Sequence, residues 1–412
     1  MQRTKRSSQM IKILASGDWH FDNTSKNQKL VHSLNQIIDY LTNNKVDYFI
    51  HSGDMYETPR MFKEGSGVEL VFEYLRKISK LVKYMVITRG NAFHDASQSI
   101  SLLHKIELNV LAFENPVILG FFNDGKETTY TDLLRSDYQK IAQEKLRPEI
   151  IINMVPYPTK QAFIIDQSID VNNQNFGEVF DNLMMALGMI NNKFNNCPKV
   201  MGFHGNIQGA RLSNGQTLQQ DLIISPHSLQ KANCDYYALS HIHLWQEILP
   251  NMIYSGSIHN KNWGETEQKS FQVVKFEGGQ MEIERVMLKG TRPMIEVKAE
   301  FKDGKLVYDT EIPENAEVRV RCKITEDETN LLTNEKIAEL TKQLGADKEI
   351  RFDTEIVPTQ RESRSEIIMD AKTLEEEVAE YARITGYEVT KSILSKIDVV
   401  KQKAQEAVTV EE

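Results

Sequence analysis

Cysteine is scarce in this chain of 412 residues, which contains three. Cys197, Cys234 and Cys322 do not have the spacing of a metal-binding cysteine motif, and three cysteines cannot all pair with one another. This usage is typical of a protein that keeps its thiols reduced. We therefore expect a cytoplasmic protein.

Long apolar runs are also lacking. No stretch of the sequence approaches the roughly 18 apolar residues that a membrane helix requires. The basic start of the chain, residues 1–6, is not followed by the apolar segment of a secretory signal. We expect residues 1–10 to form a flexible extension, and we expect no membrane partner.

An excess of positive charge is the third feature that is missing. The formal net charge of −9 argues against a protein that coats nucleic acid by bulk electrostatics. It does not exclude a nuclease, because an acidic metal site needs carboxylates and a basic groove can be local. The length of the chain predicts two or three domains.

Strand-like and helix-like segments alternate along the first 260 residues. Short apolar runs predict strands, and apolar residues at helical spacing predict helices between them. This alternation predicts an α/β core with right-handed crossovers. The predicted strands are 11–15, 46–50, 84–88, 150–155, 199–203, 236–239 and 252–254, and the predicted helices are 27–43, 68–81, 97–106 and 176–191.

The pattern changes near residue 290. Alternating segments at 294–301, 316–324 and 349–357, with a helix at 333–344, predict a small α+β module over residues 290–358. A polar linker is expected at 359–370. Two amphipathic helices then follow within 371–412, the first ending at Gly386. They either pack on their own domain or offer an apolar face to another chain.

Polar residues follow the predicted strands at their carboxyl ends, where α/β sheets place their sites. Their oxygen and imidazole groups suit manganese, iron, zinc or magnesium. Two pairs are spaced so that both side chains point the same way from an extended segment. Seven ligands are too many for one ion and suit two ions that share a carboxylate. The residues are Asp18, His20, Asp54, Asn91, His204, His241 and His243.

These residues form the motifs D-x-H, G-D, G-N, H and H-x-H in that order. The set resembles the calcineurin-like metallophosphoesterase superfamily, and within it the SbcD-type double-strand-break repair nucleases, including phage versions. Residues 154–157 and 254–257 resemble further markers of that branch. The resemblance implies an α/β fold with a β-sandwich flanked by helices over residues 11–289, a capping domain and C-terminal helices.

The resemblance also implies a ligand set and a function. One divalent ion, most often Mn²⁺, would be held by Asp18, His20, Asp54 and His243, and the other by Asp54, Asn91, His204 and His241. The chain would be a DNA exonuclease and endonuclease that processes ends for repair, recombination or replication. Its partners would be a second copy, through the helices at 68–81 and 97–106, and an SbcC-type coiled-coil ATPase, through the C-terminal helices.

Two positions depart from the family pattern. Ser240 replaces the glycine of G-H-x-H, where a small residue can serve. More seriously, Ala92 stands where the family has the histidine thought to protonate the leaving oxygen or to orient the phosphate. An engineered exchange, a natural loss, or an insertion that lets His94 take over would each explain this sequence.

Two further residues, Glu57 and Arg60, follow the second strand and are candidates to approach the substrate; solvated surface is the alternative for both. Three functions stay open at this point. They are a metal-dependent DNA nuclease, a metal-loaded but inactive subunit that tethers DNA, and a phosphodiesterase for small substrates.

Overall fold

A computed structural model describes residues 10–22, 27–61, 68–144, 146–159, 176–216, 222–345, 349–357 and 373–408. Residues 1–9 of the expected extension and the expected linker at 359–370 lie outside these ranges. The chain divides into two compact units. The first comprises Met1–Glu296, Glu311–Arg319 and Asp347–Glu349, and the second comprises Val297–Thr310, Val320–Ala346 and Ile350–Glu412.

Strands and helices alternate through most of the first unit. The strands are β1 (Ile11–Ser16), β2 (Tyr48–His51), β3 (Tyr84–Thr88), β4 (Val110–Phe113), β5 (Val117–Asn123), β6 (Thr128–Asp132), β7 (Ile150–Val155), β8 (Lys199–His204), β9 (Asn206–Ile207), β10 (Ile223–Ile224), β11 (Tyr236–Ser240), β12 (Gln246–Leu249), β13 (Met252–Tyr254), β14 (Ser270–Glu277) and β15 (Gln280–Met287). The α-helices are α1 (Asn27–Asn43), α2 (Val68–Ser79), α3 (Tyr138–Gln143), α4 (Phe176–Asn191) and α5 (Pro226–Gln230).

Two sheets form a sandwich with helices on both outer faces. The first sheet has the order β15-β14-β1-β2-β3-β4 and the second has the order β12-β13-β11-β8-β7-β5-β6. Side chains from both sheets, such as Ile50 and Val200, share one core cluster between them. The outer face of the first sheet packs on α1 and α2, and that of the second packs on α4. This architecture confirms the predicted class of an α/β β-sandwich flanked by helices.

The strand directions bring the polar motifs together. Strands β1, β2 and β3 run parallel in the first sheet, and β7, β8, β11 and β13 run parallel in the second. Parallel strands present their carboxyl ends at one edge of a sheet. The loops after β1, β2 and β3 therefore meet at one edge, and hydrogen bonds join the loop after β11 and the end of β8 to them.

The remaining strands are β16 (Met294–Lys302), β17 (Lys305–Val307), β18 (Glu317–Thr325) and β19 (Glu349–Val357), and they form a sheet of order β17-β16-β18-β19. The second unit contains α6 (Asn334–Gln343), α7 (Leu374–Thr385) and α8 (Lys391–Val408). A 3₁₀ helix at Glu326–Leu331 precedes α6. None of the described helices is both long and apolar enough to cross a membrane.

The helix predicted at 97–106 is wrong in extent. Only a 3₁₀ helix, Ser101–Lys105, forms there. Gln98 has a left-handed backbone with φ of 70°, which interrupts an α-helix. The hydroxyl groups of Ser99 and Ser101 donate to the backbone oxygens of Ala96 and Gln98, which favours turns over a continuous helix.

Segments 68–81 and 97–106, predicted to contact a second copy, bury most of their apolar side chains inside the first unit. Of the six that we consider for such a contact, only Leu102 is exposed, at 44%. Core packing therefore accounts for the other five, which are Tyr74, Leu75, Ile78, Ile100 and Leu103.

Helix α4 approaches the segment after α5 so closely that Gly188 cannot carry a side chain without movement. An ideal Cβ at Gly188 would lie 2.1 Å from the backbone oxygen of Lys231. We predict that Gly188→Ala destabilises the protein, because overpacking costs about 1–3 kcal/mol. This loss exceeds the gain of up to about 1 kcal/mol in helix propensity. Gly177→Ala in the same helix meets open space and serves as the control.

Chemical unfolding of both variants measures the difference. Gly177→Ala is expected to match or exceed the parent in free energy of unfolding. Equal stabilities for the two alanine variants would contradict the close approach at Gly188.

Candidate metal centre

The loops at the carboxyl ends of the parallel strands hold several polar residues in an unusual, left-handed backbone conformation. Asp18, His20, Asp54 and His241 have φ angles of 52°, 51°, 55° and 104°. Such conformations cost about 1–3 kcal/mol each and persist where surrounding contacts enforce them. Here the amide of Asp18 donates to the oxygen of Gly53 at 2.9 Å, and that of His20 donates to the oxygen of Asp54 at 3.1 Å.

Asp95 holds two of these loops together. Its fully buried carboxylate accepts hydrogen bonds from the backbone amides of Gly90 at 2.7 Å and of Asp54, Met55 and Tyr56 at 3.1 Å. Burial raises the pKa of Asp95 to about 7, and the nearby Asp54 adds to the rise. Asp95 is not among the site residues predicted from the sequence.

Glycines allow the loops to approach one another. An ideal Cβ at Gly90 would lie 2.0 Å from Asp54 Oδ1, so any side chain there would displace that carboxylate. An ideal Cβ at Gly17 would lie 2.1 Å from the hydroxyl oxygen of Ser240. The departure from the family pattern at Ser240 is therefore accommodated by the missing side chain of Gly17.

The Asp54 carboxylate lies at the centre of the site. Asn91 donates to Oδ1 from its backbone amide at 2.9 Å and to Oδ2 from its side-chain amide at 3.1 Å. The Nε2 atom of His204 lies 3.3 Å from Oδ2, and those of His20 and His94 lie 3.9 Å from it. The side-chain amide of Asn91 must turn over to offer its oxygen to a cation instead.

Acceptors behind the rings fix the orientation of three histidines. The Nδ1 atoms of His204 and His94 donate to the backbone oxygens of Ser52 at 2.8 Å and Glu57 at 2.7 Å. The Nδ1 atom of His243 lies 2.8 Å from a carboxylate oxygen of Glu265. A hydrogen bond at Nδ1 leaves Nε2 to act as a metal ligand.

Three groups of potential ligand atoms result. Asp18, His20 and His243 form one group, Asp54, His204 and His241 a second, and His20, Glu57 and His94 a third. Within each group the ligand atoms lie within 4.8 Å of one another. The structure thus brings together the seven residues predicted from sequence and adds His94 and Glu57. Arg60, three residues beyond Glu57, is exposed.

The charges in the site depend on one another. Burial raises the pKa of Asp18. Burial also acts to raise the pKa of Asp54, but His204, His94 and His241 outweigh it and hold that pKa well below its usual range. Burial acts to lower the pKa of His204, yet Asp54 and Asp18 raise it to about 9.

These observations fit a divalent metal. His204 Nε2 is buried and lies 3.3 Å from Asp54 Oδ2 without a well-formed hydrogen bond among the described residues. The Nε2 atoms of His20 and His243 lie only 3.0 Å apart, close enough for one cation to be held by both. Buried carboxylates and neutral imidazoles are donors for such ions. Asp18, His20, Asp54 and His243 would hold one ion, and Asp54, Asn91, His204 and His241 the other.

Comparison with known proteins identifies the class. The sequence model of the calcineurin-like phosphoesterases matches residues 11–244, which is more than half of the chain, and the chain belongs to this family. The family membership implies metal-dependent phosphoester hydrolysis with divalent ions. No curated protein matches the chain significantly.

Solved structures show only weak likeness. One is GAP50, the anchor in the inner membrane complex of Plasmodium, with 12% identity, a TM-score of 0.39 and coverage of 85% of this chain and 98% of that one. Another is a dimetal phosphatase from Danio rerio, with 8% identity, a TM-score of 0.39 and coverage of 67% of this chain and 96% of that one. Neither supports an inference about substrate.

The chemistry of the site follows from the family and the geometry. Bound divalent ions would activate a water molecule and neutralise charge on the scissile phosphate. The chain itself contributes the fixed Nε2 atoms, the low pKa of Asp54 and a histidine, His94, whose side chain remains 24% exposed. Lys261 pairs with Glu57 beside His20 and adds a positive charge.

Asp54 is expected to account for most of the stabilisation that metal gives. A ligand at 100 times its Kd raises the free energy of unfolding by about 2.7 kcal/mol. We predict that Mn²⁺ raises the Tm of the parent chain and that Asp54→Asn loses most of this shift. Scanning calorimetry with and without Mn²⁺ measures it for each variant. Asp39→Asn, on the exposed face of α1, is the control; equal shifts in both variants would count against Asp54 as a ligand.

Proposed function

We propose that the chain is the manganese-dependent nuclease subunit of an SbcD-type complex. It cuts DNA as an exonuclease and endonuclease in the cytoplasm and processes ends for repair, recombination or replication. Three observations support this function, namely the membership of the phosphoesterase family, the order of the motifs and the arrangement of ligands around Asp54.

The position of His94 is the observation that favours an active enzyme. His94 is followed directly by Asp95, whose carboxylate anchors the loop by accepting hydrogen bonds from the backbone amides of Asp54 and Gly90. Ala92 and Phe93 are therefore best understood as an insertion between Asn91 and His94. Both inserted residues are exposed, whereas the His94 ring contacts that of His20 with centroids 4.4 Å apart.

His94 is oriented for proton transfer. Its Nδ1 atom donates to the Glu57 oxygen, and its Nε2 atom lies on the side that faces Asp54. Burial lowers the pKa of His94, which makes its imidazolium a stronger acid. A proton held on Nε2 could then pass to the leaving oxygen of a phosphodiester.

The C-terminal helices support an ATPase partner. Helix α7 and the residues after it expose Tyr381 at 48% and Tyr387 at 73%, and α8 exposes Leu394 at 44% and Val400 at 55%. Ile393 is also exposed, at 36%, and lies seven residues before Val400 on α8, a spacing that suits docking in a groove of another protein. We propose a coiled-coil ATPase of the SbcC type as that partner, and a second copy of the chain as another.

An inactive subunit that tethers DNA is the alternative that Ala92 favours. Its methyl group carries no proton, and its position is the one at which the family has its histidine. In this case the ligands would bind metal without turnover.

Variants at positions 92 and 94 separate these functions. We predict that the parent chain degrades linear DNA with Mn²⁺, because His94 replaces the missing acid. His94→Ala is expected to lower the rate about 10²- to 10⁴-fold, the usual contribution of general acid catalysis. Mn²⁺ binding should largely remain. His227→Ala, on α5, is the control and should cut normally.

The other outcomes assign the alternatives. If the parent is inert and only Ala92→His cuts DNA, the natural or engineered loss of the histidine is the correct explanation. If the parent hydrolyses bis(p-nitrophenyl) phosphate but neither single-stranded nor duplex DNA, the chain is a phosphodiesterase for small substrates.

A further inference from the structure

A buried carboxylate stands behind one of the metal-site histidines. Glu265 lies on the loop between β13 and β14, outside residues 11–244, and is 3% exposed. Its Oε1 atom lies 2.8 Å from His243 Nδ1. Because an ionised carboxylate only accepts hydrogen bonds, His243 donates from Nδ1, and the lone pair of the neutral ring then lies on Nε2.

The contacts of Glu265 are those of an ionised carboxylate, because the ammonium of Lys269 and two amide groups donate hydrogen bonds to its oxygens.

The loop is arranged so that Glu265 cannot turn away. Its Oε2 atom accepts from Lys269 Nζ at 2.8 Å and from the backbone amide of Lys261 at 3.0 Å, while Asn262 donates to Oε1 at 3.0 Å. Lys269 is 1% exposed and also donates to the hydroxyl of Ser257 at 3.0 Å.

The same loop reaches the second histidine of that ligand group. Lys261 Nζ pairs with Glu57 Oε2, and this oxygen lies 3.5 Å from His20 Nδ1. Two carboxylates thus stand behind His20 and His243, whose Nε2 atoms meet at 3.0 Å. Lys261 contacts both carboxylates, because its side chain pairs with Glu57 and its backbone amide donates to Glu265.

Stability alone does not explain a buried ion pair of this kind, since a pair of well-packed apolar residues is often as stable. A carboxylate hydrogen-bonded to a metal-ligating histidine, in contrast, fixes the ring and raises its basicity. We infer that Glu265 is the positioning residue for His243 and sets the affinity of the ion bound by Asp18, His20, Asp54 and His243. This inference rests on metal binding by the site and not on DNA as the substrate.

Glu265→Gln tests the inference directly. We expect the affinity for one of the two Mn²⁺ ions to fall about 10- to 100-fold, the usual effect of removing such a partner. The other ion should bind as in the parent. Isothermal titration calorimetry of the full chain with Mn²⁺ measures both. Glu267→Gln is the matched control, because Glu267 pairs with the same Lys269 but lies at 17% exposure without a contact to His243 among the described contacts.

A double-mutant cycle distinguishes positioning from a general effect on the fold. In a His243→Ala background, Glu265→Gln should cause no further loss of affinity. Glu265→Asp keeps the charge beside Lys269 but shortens the reach to His243; it is the second variant if the amide fails to fold, and it should also lose affinity. Equal losses in Glu265→Gln and Glu267→Gln, or parental affinity in both Glu265 variants, would overturn the inference. A parent that binds no Mn²⁺ would overturn the metal centre itself.

Discussion

The carboxylate of Asp54 is buried between the carboxyl ends of both sheets, at a point that water barely reaches. Such a charge is costly unless it is compensated. The structure surrounds it with the Asn91 amides and the Nε2 atoms of His20, His94 and His204, all within 3.9 Å. The rest of the site can be understood as a frame that keeps this carboxylate in place for divalent ions.

That frame is built largely from the backbone. The Asp95 carboxylate accepts hydrogen bonds from backbone amides of the loops after β2 and β3. Gly90 has no side chain and so leaves room for the carboxylate of Asp54. Hydrogen bonds at Nδ1 orient three histidine rings. His204 and His94 donate to the carbonyl oxygens of Ser52 and Glu57, and His243 donates to the carboxylate of Glu265. The loop that carries Ala92 and Phe93 is held to the site because Asp95 accepts hydrogen bonds from the amides of Asp54 and Gly90.

The sequence predicted the strands that carry the ligands, since each apolar run ended at a polar motif, as at Asp18 and His204. It did not predict the β14–β15 hairpin, although the Gly278-Gly279 turn between alternating segments is a hairpin signal. Glu265 could not be predicted, because its role depends on a loop fold that no local pattern specifies. The position of His94 could not be predicted either. It depends on the neighbouring Asp95, whose carboxylate accepts four hydrogen bonds from backbone amides of two different loops.

Anomalous diffraction at the manganese edge, from crystals grown with Mn²⁺, would locate the bound ions relative to Asp54. We expect two peaks about 3.5–4 Å apart with the Asp54 carboxylate between them. One peak should lie against Asp18, His20 and His243, and the other against Asn91, His204 and His241. A single peak, or two peaks of which either lies out of reach of Asp54, would contradict this arrangement.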